Sequence, residues 1–242
     1  MKNAIVTGVS RGLGEALAAA LLERGLTVTG VGRRSSARLA SERYRFVSCD
    51  LADAGAIEAA LIPTLDAIAG LRSEYVCLVN NAATAEPVGV IGSMASDAIV
   101  ASLTANLIAP LLLANLFCRV FRDTAQERRI INVSSGAAQS ALPGGGAYSI
   151  GKAGLEMLTM QLVAEHGAST LKAISVRPGI IDTGMQQFMR SQSPKALPSL
   201  AMFQDFHASG QLVAPNVVAA KIADKLVLGE IEQGRTYLYK DL

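Results

Sequence analysis

The residues TGVSRGLG (7–14) constrain this chain more than any other stretch. An apolar run that suits a strand, NAIVTG (3–8), leads into them, and a run with helical spacing, LGEALAAALLERG (13–25), leads out. In a turn of this kind Gly8 permits the tight reversal. Gly12 lets backbone approach a bound phosphate, and Gly14 lets the helix pack close to the strand. Free N–H groups and the helix dipole then favour an anion at the helix start. The pattern predicts a strand–turn–helix unit built to hold a nucleotide.

The remaining chain repeats that alternation. LTVTGVG (26–32), RFVSC (45–49), YVCLVNNA (75–82), RRIINVSS (128–135), LKAISVRPG (171–179) and RTYLY (235–239) read as further strands. Helical patterns occupy 53–69, with a bend or break near Pro63, then 93–121, 148–166 and 215–229, where Pro215 suits a first turn. Alternating strands and helices imply parallel strands with helical crossovers, a doubly wound, Rossmann-like α/β sheet of about seven strands. The strands are nearly continuous Val, Ile and Leu, as expected when both faces are covered. Residues 1–242 read as one domain, without repeats or low-complexity linkers. The exception is 184–213, an apolar stretch carrying Met185, Phe188, Met189, Met202, Phe203 and Phe206 along with Pro194 and Pro198. It reads as an irregular substrate loop, since long loops in compact domains are usually functional or disordered.

Charge narrows the partners. The formal net charge is +2 and the basic residues are scattered, too weak a bias to argue for nucleic acid or a membrane surface, and neither is expected as a partner. Cys49, Cys77 and Cys118 have no paired spacing and no nearby His, and read as buried thiols in a reducing compartment. The N-terminal residues lack a signal-peptide pattern. NLIAPLLLANLFCRVF (106–121) contains Pro110 and is short for a membrane span. The expected location is the cytoplasm. His166 and His207 lie far apart with no ligand-spaced partner, so no metal is expected.

The residue ending the second strand chooses the nucleotide. An acid there would bind the ribose hydroxyls of NAD. Here the stretch is GVGRRSS, with Arg33 and Arg34 and no acid before Glu42, and Arg11 lies inside the glycine loop. Guanidinium groups suit a 2′-phosphate by charge and fork geometry, which points to NADP(H).

With these motifs in order, the sequence resembles the short-chain dehydrogenases/reductases from Ala4 to about Thr183. The resemblance rests on TGVSRGLG, Asp50 after the third strand, NNAA (80–83), Asn106, SS (134–135), YSIGK (148–152) and PGIIDT (178–183). It implies that Asp50 and Leu51 lie at the adenine and that Asn80 supports the central sheet beside the adenosine. It also places Ser10, Leu13 and Ala82 at the cofactor. Pro178 and Gly179 would lie at the cofactor, Ile181 would offer backbone groups to the nicotinamide carboxamide, and Thr183 would bind the phosphates. Asn106 would hold a water in a proton relay. The family's active serine lies thirteen residues before its tyrosine, which selects Ser135 over Ser134. Two departures stand out. Ala83 replaces a common glycine, and Gly151 a common serine, which would loosen the helix start.

Tyr148 and Lys152 carry the chemistry. At i and i+4 of a helix they share a face, roughly 5–6 Å apart at Cβ. A free tyrosine has a pKa of about 10, and a nearby ammonium lowers it. Hydride delivery to a carbonyl carbon leaves charge on oxygen. Tyr148 would donate a proton to it and Ser135 a second hydrogen bond, with Lys152 also binding the nicotinamide ribose. The C-terminal part resembles the sepiapterin reductase and benzil reductase subgroup, which implies a small-molecule vicinal dicarbonyl or pterin ketone as substrate. Asp241 falls approximately where an aspartate anchors the pterin ring. The same site would serve a 3-oxoacyl-carrier-protein reductase or another alcohol dehydrogenase, and the same fold a non-enzymatic NADP-sensing regulator. Apolar helices at 93–121 and 148–166 imply a homodimer or homotetramer.

Overall fold

The computed structural model describes residues 1–71, 73–122, 127–167 and 171–242. Seven strands form one sheet: β1 (Lys2–Thr7), β2 (Thr27–Gly32), β3 (Tyr44–Ser48), β4 (Tyr75–Asn80), β5 (Glu127–Val133), β6 (Lys172–Arg177) and β7 (Thr236–Leu238). Their order is β3-β2-β1-β4-β5-β6-β7, and every pairing is parallel. The helices are α1 (Gly12–Glu23), α2 (Ala54–Gly70), α3 (Ser96–Leu103), α4 (Ala109–Val120), α5 (Gly146–Glu165), α6 (Gly184–Arg190), α7 (Leu200–Ala208) and α8 (Pro215–Ile222).

The strands are apolar on both faces because each face carries its own core. Ala4 and Val6 face α1 and α8, in one cluster with Leu17, Leu21, Val79, Ile174 and Ile222. Ile5 points the other way, into a cluster of Ile57, Leu61, Phe117 and Leu155 from α2, α4 and α5. Alternation with period two divides β1 between the layers. Cys77 lies in the first core, and burial pushes its thiol up to about 11.

Several elements depart from the sequence reading. The stretch 184–213 is not an irregular loop. It holds α6 and α7, and Met189, Leu197 and Leu200 close a third small core with Ala85, packed by Met185, Phe188, Phe203 and Leu142. The prolines at 194 and 198 fall between the two helices, and each helix is too short to show a sustained period. α2 runs unbroken past Pro63, whose ring is exposed. The long helical region is not uniform: a π-helical segment, Thr104–Ile108, joins α3 to α4. A second, Ala223–Val227, follows α8. Ser96–Val120 is long and apolar enough to cross a membrane by length and composition. In the fold it lies against α2 and α5.

A buried polar crossbeam ties the sheet's centre to α5. The Asn80 amide donates to Asn132 Oδ1 at 2.9 Å, and the Asn132 amide donates to Thr159 Oγ1 at 2.8 Å. Thr159 Oγ1 and Ser175 Oγ meet at 2.8 Å. Asn132→Ala leaves the Asn80 amide without its partner in the core and removes one bond from Thr159, which keeps Ser175; a buried group left unpaired costs on the order of 1–3 kcal/mol. Urea unfolding should show a stability loss of that order with an unchanged slope. An unchanged midpoint would contradict the crossbeam's role.

Candidate active site

Because all strands are parallel, their carboxyl ends share one edge. The order reverses between β1 and β4, the place where open α/β sheets bind ligands. At that edge Gly8 has φ +76°, and a Cβ there would lie 2.8 Å from Ala82 Cα. A Cβ on Gly14 would lie 2.3 Å from the Gly8 oxygen and from Asn81 Nδ2. The loop is therefore folded onto its neighbours more tightly than side chains allow. Asn81 and Thr7 hold it there, and sequence reasoning missed both. Asn81 Nδ2 donates to the Thr7 carbonyl at 2.8 Å. Thr7 Oγ1 accepts from the Asn81 and Ala82 amides, both at 2.9 Å. Their positions, Thr7 as the last residue of β1 and Asn81 just past β4, are the only signal the sequence holds for them. The Asn80 amide itself points into the crossbeam.

Around this loop the proposed nucleotide residues assemble. Ser10 and Arg11 are exposed, and Leu13 is buried beneath them. The Arg11 guanidinium lies beside Gly184, and Thr183 beside Gly12. Arg33 and Arg34 are exposed just past β2. The segment after them is pinned on two sides: Ser35 meets the Tyr44 hydroxyl at 2.9 Å, and Ser36 donates to Glu15. Past β3, Asp50 accepts from the Ala52 amide at 3.0 Å, with Leu51 buried next to it. After β6 come buried Pro178 and exposed Gly179, whose face carries Tyr239. Ile180 O and Asp182 N both bond Val213, at 2.9 Å each. Ile181 itself is buried between these two bonds, in a parallel bridge with Val213.

On the other side of the crevice, α5 presents Tyr148 and Lys152 to the end of β5. Tyr148 is half-buried and hydrogen-bonded to the Ser135 side chain. Burial pushes its pKa above the ordinary value, and the Ser135 hydrogen bond opposes this. The expectation that Lys152 lowers it is not met in this arrangement. Lys152 is 2 % exposed, and its Nζ donates to the Val133 carbonyl at 2.6 Å, 5.7 Å from the Tyr148 ring centroid. Burial pushes the Lys152 pKa down to about 8. Asn106 is fully buried in the π-helical segment. Its Oδ1 accepts from Thr84 N and its Nδ2 donates to Thr84 O, both at 2.9 Å. The side chain is thus committed to the loop after β4 and to Ser102, whose hydroxyl accepts from Asn106 Nδ2 at 3.3 Å.

Gly151 does not loosen the helix start, since α5 is continuous from Gly146. A Cβ on Gly151 would lie 2.9 Å from Asn106 Cβ, and one on Gly154 2.8 Å from Leu107. The two glycines seat the π segment against α5. Asp241 sits after β7, where its carboxylate accepts from Leu238 N at 2.8 Å and lies 3.7 Å from Arg235. It closes the C-terminal turn. Among the described residues, then, this edge carries a tightly folded glycine loop and the exposed Arg11, Arg33 and Arg34, and with them a phenol, a hydroxyl and an ammonium. These residues fit a nicotinamide dinucleotide and proton transfer to an oxygen next to it.

Known proteins share this design. The family model of the short chain dehydrogenases matches residues 2–194. A benzil reductase ((S)-benzoin forming) of Bacillus cereus is 33 % identical over 97 % of this chain and 97 % of its own. That of Bacillus subtilis is 32 % identical over 100 % and 99 %. The crystal structure of the KRED1-Pglu enzyme superposes with a TM-score of 0.82 at 29 % identity, covering 98 % of this chain and 100 % of that one.

The close approach at Gly151 is testable. Gly151→Val must push the π segment away from α5, and overpacking of this kind costs typically about 1–3 kcal/mol. Thermal unfolding should register that loss. A variant as stable as the parent would mean that the two helices are not in contact at this point.

Proposed function

Because the chain belongs to the short-chain dehydrogenases, oxidoreductases that use a nicotinamide cofactor, we propose that it is an NADPH-dependent carbonyl reductase acting on a bulky vicinal dicarbonyl. The observation that carries this is the grouping of Ser135, Tyr148 and Lys152 at the end of β5, on the edge of the parallel sheet that also holds the glycine loop.

The nucleotide would lie with its pyrophosphate on the glycine loop (Gly8, Ser10, Gly12, Leu13, Gly14) and its adenine by Asp50 and Leu51. Arg11, Arg33 and Arg34 face the 2′-phosphate. Pro178, Gly179 and Ile181 hold the carboxamide, Ala82 and Thr183 complete the cradle, and Lys152 takes the ribose. The cofactor supplies the hydride. Tyr148, kept protonated by its raised pKa, donates its proton to the carbonyl oxygen, and Ser135 holds that oxygen with a second hydrogen bond. Lys152 and a water at Asn106 return a proton to Tyr148. An adjacent carbonyl makes the attacked carbon a better hydride acceptor. The core around Met189, Leu197 and Leu200 keeps water out and strengthens these bonds. The benzil reductase relatives, similar over their whole length, favour an aryl diketone over a pterin. The structural duty of Asp241 points the same way. We place the protein in the cytoplasm as a homodimer or homotetramer. Val100, Leu111, Met157 and Met160 on the α3–α5 side are exposed apolar residues that a second copy would cover.

A panel of benzil, sepiapterin, an oxoacyl thioester and simple alcohols, each with NADPH and NADH, tests the reading. Benzil should be reduced and NADPH preferred, and Arg33→Asp should narrow the preference. Inert dicarbonyls beside a rapidly reduced thioester would overturn the substrate. Equal efficiency with NADH would overturn the cofactor.

Tyr148→Phe should bind cofactor normally and lose about 10²–10⁴-fold in turnover. Lys152 is needed as the cation, and its pKa is lowered to about 8. Its charge is therefore present below that pH and lost above it. The kcat/KM for reduction should be flat through neutrality and fall as pH rises past about 8. A rate that climbs through that range would contradict the assignment.

A further inference from the structure

Tyr148 and Lys152 are not the last residues on their face of α5. One turn further, at i+8 from Tyr148, stands Glu156. Its carboxylate is shared by two strand ends. Ser134 Oγ donates to Glu156 Oε1 at 2.6 Å. Arg177 makes a forked pair with the same carboxylate, Nε to Oε1 at 2.8 Å and Nη2 to Oε2 at 2.7 Å. The pair is largely enclosed, with side chains 13 % and 17 % exposed. Charge-assisted forks of this kind fix orientation as well as energy.

What these partners adjoin gives the contact its meaning. Ser134 is 3 % exposed, its N–H donates to Val176 O at 2.7 Å, and the next residue is Ser135. Its other neighbour is Val133, whose carbonyl takes the Lys152 ammonium. Arg177 ends β6 and is followed by Pro178 and Gly179. One side chain therefore spans from the helix that carries the phenol to the strand end that carries the serine, and to the turn that faces the nicotinamide.

We propose that Glu156 is a positioning residue with two separable arms. Its Ser134 arm sets Ser135 against Tyr148, and its Arg177 arm sets the Pro178–Gly179 turn for the nicotinamide. The inference rests on the carbonyl-reductase reading. Ser134 takes no part in the chemistry, and its hydroxyl acts through the backbone it anchors. Arg177 is spent on Glu156 and holds no ligand. Misplacement by about 1 Å from a site away from the chemistry can cost as much as 10²-fold, so loosening either arm has a kinetic signature that loss of packing alone lacks.

The test measures kcat for diketone reduction, the NADP⁺ dissociation constant by titration calorimetry, and the melting temperature of the intact protein. Ser134→Ala removes one arm and leaves the ion pair. It should lower kcat about tenfold with cofactor affinity within about twofold. Arg177→Lys keeps the charge and loses the fork. It should weaken NADP⁺ binding about five- to tenfold with kcat within about threefold. Glu156→Gln should show both effects. Should the isosteric Gln variant fail to fold, the two milder substitutions still decide the matter. Lower melting temperatures with unchanged kcat and affinity in both would make the cluster purely structural and overturn the proposal. So would the effects falling on the opposite arms. A parent protein that turns over no carbonyl would instead remove the functional reading beneath it, and affinity and melting temperature would still report on the Arg177 arm.

Discussion

Every residue at the site depends on the sheet being parallel throughout. That single orientation delivers the glycine loop, the arginine pair, Asn81, Ser135 and Pro178 to one edge, although they span most of the chain. It also leaves the sheet with no solvated face, so the strands had to be apolar on both sides and the polar groups between them had to be paired. The Asn80–Asn132–Thr159–Ser175 crossbeam meets that demand in part: its amides and hydroxyls are paired, and Asn80 Oδ1 has no partner. It also joins β4, β5 and β6 to α5, the helix that carries Tyr148 and Lys152.

The reacting end is shaped by enclosure more than by charge pairing. Lys152 is nearly inaccessible and is held by a carbonyl, and burial lowers its pKa while raising that of Tyr148. A phenol that stays protonated suits a reductase, because reduction consumes a proton at the carbonyl oxygen. Glycine makes this enclosure possible. Gly151 and Gly154 let α5 meet the π-helical segment at distances that side chains would forbid, and that segment presents Asn106.

The segment 184–213 shows the limit of reading a chain locally. Residues 184–213 carry prolines, glutamines and scattered methionines, and no periodicity over a long window. Tertiary packing makes two short helices of them, because Met189, Leu197 and Leu200 bury themselves with Ala85 and Leu142 from distant loops. Asp241 is a similar case. Its place in the chain invites a ligand role, and its neighbours in space give it a turn to close.

Read by itself, the sequence determined the fold class, the single sheet, the nucleotide-shaped glycine turn and the Tyr148–Lys152 pair. These follow from periodicity, from glycine's freedom and from i,i+4 spacing, all of which are local. Only the tertiary structure decided which atoms meet across elements. Thr7 and Asn81 brace the glycine loop, Asn106 turns its side chain to Thr84, and Glu156 spans from Ser134 to Arg177. Those contacts join residues brought together by the sheet order, and no spacing along one chain encodes which side chain will face which.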